Sequence, residues 1–137
     1  MKKVISFITL TAILTVMFIP NSAKAIDVDT PYTPLQSGCY SATGSSSISC
    51  HSASSSTRCM DTSTILYVSA NYCYAKDALI SSSAQMVYQS DTKTTYTDAT
   101  VSFSNGYYDQ SVNLSGSHSF THGSSYASGT TFVHYGN

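Results

Sequence analysis

The chain is 137 residues long, carries only 9% charged side chains, and holds eleven tyrosines and no tryptophan. Past residue 25, three basic side chains (Arg58, Lys76, Lys93) stand against seven aspartates, a net charge of −4 with no glutamate. Without clustered Lys and Arg the chain lacks the electrostatic footprint that nucleic acid or an anionic membrane surface requires, so both are excluded as partners.

The first predicted element is an export signal. Lys2 and Lys3 precede an uncharged apolar run, Val4 to Pro20, and NSAKA (Asn21 to Ala25) puts small Ala23 and Ala25 at the positions a signal peptidase reads. Residues 1–25 are therefore expected to be a signal peptide cut after Ala25, leaving one secreted domain, residues 26–137, with no membrane attachment. A retained helix is the weaker reading, because the run sits at the short edge of a bilayer span and small polar residues follow it. LQSGC (Leu35 to Cys39) is no acylation site: its leucine is one position too far from the cysteine, and polar sequence separates it from the apolar run. The final HYGN contains no sorting motif, so free extracellular release is expected over wall anchoring.

Beyond residue 25 the composition is Ser, Thr and Tyr, with helix formers sparse, which specifies an all-β fold. Several short strands divided by turn signals predict a small antiparallel β-sandwich. Four cysteines (Cys39, Cys50, Cys59, Cys73) in a small exported domain predict that two disulfides staple it. A zinc site from these cysteines with His51 is disfavoured, since no C-x-x-C pair occurs.

In chain order, residues 26–37 carry two prolines and read as an extended tether or edge strand. Thr43-Gly44-Ser45-Ser46 is a candidate type II′ turn with glycine first, and SASSST (Ser52 to Thr57) a loop. That turn would set residue 39 opposite residue 50, within reach of a bond, so the favoured pairing is Cys39–Cys50 with Cys59–Cys73. Thr64 to Tyr74 is the strongest strand, Lys76-Asp77 a turn, and Ser83 to Ser90 a further strand. A hairpin is predicted at Asn105-Gly106, as a type I′ turn that sets Phe103 opposite Tyr108 and Ala99 opposite Val112.

Three of the four histidines close the chain in SHSFTHGSSYASGTTFVHYGN. With residues 123–129 as a returning loop and His122 opposite Thr130, Phe120 would face Phe132 and His118 would face His134. Two facing imidazoles could take Zn²⁺ or Cu²⁺, and would repel one another on protonation near pH 6. His122 lies about 13 Å further along the strand, so Asp109 or the Asp27/Asp29 pair would have to complete the ligand set. The competing and stronger expectation is that these histidines are hydrogen-bonded sheet residues with no cofactor.

Catalytic chemistry is not apparent. No G-x-S-x-G elbow occurs, four paired cysteines leave no spare thiol, and the aspartates sit singly in turn-like stretches rather than as paired carboxylates. HSFTH lacks the glutamate of a zinc-protease motif. The expectation is a secreted, non-enzymatic module that presents tyrosine-rich faces, for example Tyr67, Tyr72 and Tyr107, to a protein or glycan partner. Two other expectations stand beside it: an antimicrobial or toxin-like protein acting on a receptor or wall precursor, and a metal-binding or pH-sensing protein built on His118 and His134.

Overall fold

The computed structural model of the protein describes residues 30–136; the signal segment with Ala23 and Ala25, and the Asp27/Asp29 pair, lie outside the described residues. Eight strands follow one another: β1 (Tyr32–Ser37), β2 (Tyr40–Ile48), β3 (Ser52–Arg58), β4 (Ile65–Lys76), β5 (Gln85–Thr95), β6 (Asp98–Ser104), β7 (Gln110–His122) and β8 (Ser125–His134). They form two antiparallel sheets of four, ordered β1-β2-β3-β6 and β5-β4-β7-β8. The chain crosses between sheets three times, after β3, after β5 and after β6.

Alternation decides which side chains enter the core. On β4, Leu66, Val68, Ala70 and Tyr72 are buried, whereas Tyr67 and Asn71 between them are exposed. Leu114 and Phe120 on β7, Val133 on β8, Ala99, Val101 and Phe103 on β6, and Leu35, Ala42 and Ala53 on β1 to β3 complete one cluster between the sheets. Burying these side chains contributes about 1.5–3 kcal/mol for each large one, which makes this cluster the main stabilising element. Pro34 sits on β1, at the edge of its sheet, where a missing N–H costs no ladder bond.

Three local expectations are corrected. The serine run is not a loop but β3, an interior strand paired on both sides, with Ser54 opposite Ser47 and Ser102. Gly44 is not a turn; it lies within β2 opposite Thr33 and Thr57, and the tight turn falls at Gly38-Cys39, where Gly38 takes φ +61°. Consequently Cys39 and Cys50 stand at opposite ends of β2, and no cysteine pair is at bonding distance.

The third concerns Asn105-Gly106. β6 and β7 belong to different sheets, so Phe103 lies opposite Ala53 and Ala99 opposite Thr57, while Val112 occupies a register shift in the β4–β7 ladder. Neither Asn105 nor Gly106 has a positive φ, so no type I′ turn forms. Non-local bonds override the local preference. Asn105 donates from Nδ2 to the Tyr72 hydroxyl (2.8 Å) and the Cys50 carbonyl (3.2 Å), and the Gly106 amide donates to Asp109 Oδ2 (2.8 Å). The dipeptide is a bridge between layers.

Candidate functional site

The two-residue turn at Gly123-Ser124, with Gly123 at φ +59°, sets the register of the terminal strands. It places His118 opposite Gly129 and His134 opposite Asn113, not opposite each other, and Phe120 opposite Ala127. The expected seven-residue loop is absent because Ser125 already pairs with His122. His118 shares the inward face of β7 with Leu114 and Phe120, whereas His134 follows buried Val133 and takes the opposite face of β8. Among the described residues no group of three or more His, Cys or Asp side chains is gathered as a metal site.

His118 is 1% exposed and lies at the centre of a polar chain that joins the two sheets. Its Nδ1 is 2.9 Å from Thr57 Oγ1 and its Nε2 is 2.8 Å from Thr131 Oγ1. Thr131 Oγ1 is 2.6 Å from Ser46 Oγ, which is 2.9 Å from Ser55 Oγ. The proton directions follow from one anchor: Thr57 donates to the Tyr67 carbonyl (2.8 Å), so it has no hydrogen left for the imidazole. Nδ1 therefore carries the proton and donates to Thr57, and Nε2 accepts from Thr131. Thr131 in turn accepts from Ser46, and Ser46 from Ser55. Every hydroxyl in the chain donates once. Burial pushes the His118 pKa from 6.5 down to about 4, which keeps the ring neutral, the form this chain requires.

A second directed chain lies at the opposite end of the layers. Asn105 donates to Tyr72, the Tyr72 hydroxyl bonds Ser111 Oγ (2.5 Å), and Ser111 donates to the Cys50 carbonyl (2.9 Å). Tyr72 is fully buried, and burial raises its phenol above the ordinary value, so it acts as a hydroxyl and not as a base.

His122, at the end of β7, meets a different environment. Its ring stacks on Tyr40 (centroids 3.8 Å apart, 21° between planes), and Nδ1 is 3.0 Å from Thr64 Oγ1 and 3.3 Å from Asp61 Oδ2. The backbone N–H and the hydroxyl of Ser63 hold the Asp61 carboxyl below its usual value, with His122 adding a smaller effect. The sequence places Asp61 and His122 far apart, and nothing local announces their meeting. The arrangement ties the β3–β4 link to the end of β7.

The outer faces of both sheets are hydroxyl surfaces. On the first sheet three cross-strand rows recur, Ser45/Ser56/Thr100, Ser47/Ser54/Ser102 and Ser49/Ser52/Ser104. Within the rows, Ser45 and Ser56, Ser47 and Ser54, and Ser49 and Ser52 are 2.8–2.9 Å apart, so the strands' hydroxyls satisfy one another. On the second sheet a shallow groove of about 230 Å³ is lined by Tyr67, Ser117, Ser119, Tyr126, Ser128 and Thr130. Gly129 and the buried His118 lie at its base. Tyr67 and Tyr126 are both exposed, and no charged side chain lines the groove. Of the tyrosines expected to form a contact face, Tyr67 belongs to this groove, Tyr107 packs near His51 in the β6–β7 link, and Tyr72 is in the core.

A larger open cleft, about 950 Å³, lies between the β1–β2 turn and the segment after β3, and includes Cys39, Cys59, Met60, Asp61 and Asp98 in its lining. No family model, curated protein or solved structure matches the chain.

Proposed function

We propose that the protein is an exported, non-catalytic binding module whose outer sheet face takes a neutral glycan. The observation that carries this reading is the uncharged groove flanked by Tyr67 and Tyr126 with Ser117, Ser119, Ser128 and Thr130 between them. Sugar rings offer apolar C–H faces and hydroxyls that both donate and accept. Tyrosine supplies a rigid apolar ring with a hydroxyl at low conformational cost, and serine and threonine supply adaptable hydrogen bonds. The absence of lining charge favours neutral over acidic sugars, and the chain's net negative charge beyond residue 25 points the same way. The described residues offer neither paired carboxylates nor an activated nucleophile beside this groove.

Affinity electrophoresis and calorimetry against a panel of neutral and acidic polysaccharides test the reading. Retardation by a neutral polysaccharide, lost in Tyr67→Ala/Tyr126→Ala and kept in Tyr107→Ala, supports it. Equal behaviour of the three proteins, or retardation only by acidic polymers, sinks it.

A further inference from the structure

We propose that Cys39 and Cys59 are the disulfide-forming pair of this protein and that Cys50 and Cys73 remain thiols. The strands themselves eliminate most of the other pairings. Cys39 precedes β2 and Cys50 follows it, so about 30 Å separates them (nine paired residues at roughly 3.3 Å each). Cys50 and Cys59 flank β3 in the same way, about 23 Å apart over seven residues. Cys73 lies eight residues along β4 from Ile65, the end at which Cys59 sits, roughly 26 Å away. A disulfide needs Cα atoms within about 7 Å, so these combinations are closed without unfolding.

Cys50 and Cys73 share an end of the molecule but not a face. Cys50 meets the hydroxyls of buried Tyr72 and half-buried Tyr135, whereas Cys73 is on the outward side of β4, opposite Tyr88 of β5. The β4 backbone stands between them. Cys73 is 2% exposed, and burial pushes its thiol up, which leaves it protonated and unreactive.

Cys39 and Cys59 differ in where they sit. Both line the same 950 Å³ cleft, Cys39 is exposed, and Cys59 Sγ lies 3.2 Å from the carbonyl of Ser41, two residues after Cys39. Both stand outside the paired ladder: Cys39 in the turn with Gly38, and Cys59 one residue past Arg58, the last residue of β3. The sulfurs are not at bonding distance, so the turn next to the Ser37–Tyr40 pair and the Cys59-Met60 segment must close the gap. The oxidant is a low-molecular-weight disulfide. The Cys39 thiolate attacks one of its sulfurs, forming a mixed disulfide and expelling one thiolate. The Cys59 thiolate then attacks the Cys39 sulfur and expels the second. Two protein thiols are oxidised, one external disulfide is reduced to two thiols, and the two protons leave with these. The bridge ties the β1–β2 turn to the β3–β4 link across the cleft.

The full chain is incubated with oxidised glutathione, unfolded, alkylated, digested with pepsin at low pH and sequenced by mass spectrometry without reduction. Trypsin would not serve, because no Lys or Arg separates Cys39 from Cys50. The expected result is a loss of two hydrogens and a single Cys39–Cys59 cross-link, with Cys50 and Cys73 alkylated. A Cys39→Ser variant should stop at a glutathione adduct on Cys59. A dominant cross-link involving Cys50 or Cys73, or four thiols persisting after oxidation, overturns the proposal.

Discussion

Gly44 on β2 lies directly against the imidazole of His118 on β7: a Cβ at position 44 would overlap the ring's Cγ and stand 2.7 Å from its Cδ2. The glycine is there for close approach across the layers, and that approach is what lets the ring reach Thr57 and Thr131 together. Gly44→Ala should therefore cost about 1–3 kcal/mol, as overpacking in a filled interior does. Urea denaturation measures it, and a His118→Ala/Gly44→Ala double variant should show a strong favourable coupling between the two sites. Additive losses would mean that the ring is not what position 44 accommodates.

Acid should weaken the fold through His118. In the unfolded chain the imidazole titrates at its ordinary 6.5, while burial holds the folded value near 4, so the unfolded state takes up a proton first as pH falls. This stabilisation is fully present above pH 6.5, declines between pH 6.5 and about 4, and amounts to ~3 kcal/mol across that window. Unfolding free energies measured from neutral pH to about pH 4 should fall more steeply for the wild type than for His118→Gln. Parallel curves would remove His118 from the account.

The direction of the hydroxyl chain ranks its members. Thr57→Val keeps the volume but strands the Nδ1–H of His118, a cost of about 1–3 kcal/mol, and removes the bond from β3 to the Tyr67 carbonyl. Ser55→Ala removes only the terminal donor to Ser46 and should cost less. Thermal unfolding of both variants checks the order. A greater loss for Ser55→Ala would reverse the assigned proton directions.

Asp109 links two loops by accepting from the amides of Asp77 and Gly106, each at 2.8 Å. These bonds, the Asp77 one foremost, hold its carboxyl below the ordinary range, so its contribution is intact above the usual carboxylate pKa and is lost as acid protonates the folded form. In Asp109→Ala the amides of Asp77 and Gly106 should exchange with solvent faster, while amides around His118 keep their protection. Unchanged exchange at both would show that the loops hold without the carboxylate.

The all-β class was legible from composition, and β4 from its density of Ile, Leu, Tyr and Val, because these residues fit a half-buried pleat wherever it lies. The errors share one cause. Asn105-Gly106 has the local preference of a hairpin, yet Asn105 spends its amide on Tyr72 and Cys50, partners distant in sequence. The two-residue turns at Gly38-Cys39 and Gly123-Ser124 each put glycine first, the same pattern that Thr43-Gly44-Ser45-Ser46 carries inside a strand. The turn glycines take positive φ and Gly44 does not, and what selects glycine at 44 is a ring that comes from residue 118. The serine run misled for a related reason: serine reads as loop until cross-strand serines satisfy it. The Tyr67–Tyr126 groove joins residues on strands β4 and β8, whose positions on one face depend on β7 lying between them.

Because the chain changes sheets three times, neither sheet is a contiguous length of polypeptide. The β3 edge that β6 covers, with the Arg58–Asp98 ion pair (2.9 Å), is completed only by a strand that lies beyond β4 and β5 in the chain. Such long-range pairing places folding in the millisecond-to-second regime rather than the microsecond one. It also means that no cut in the chain separates the two sheets: any fragment that keeps all four strands of one sheet carries strands of the other with it.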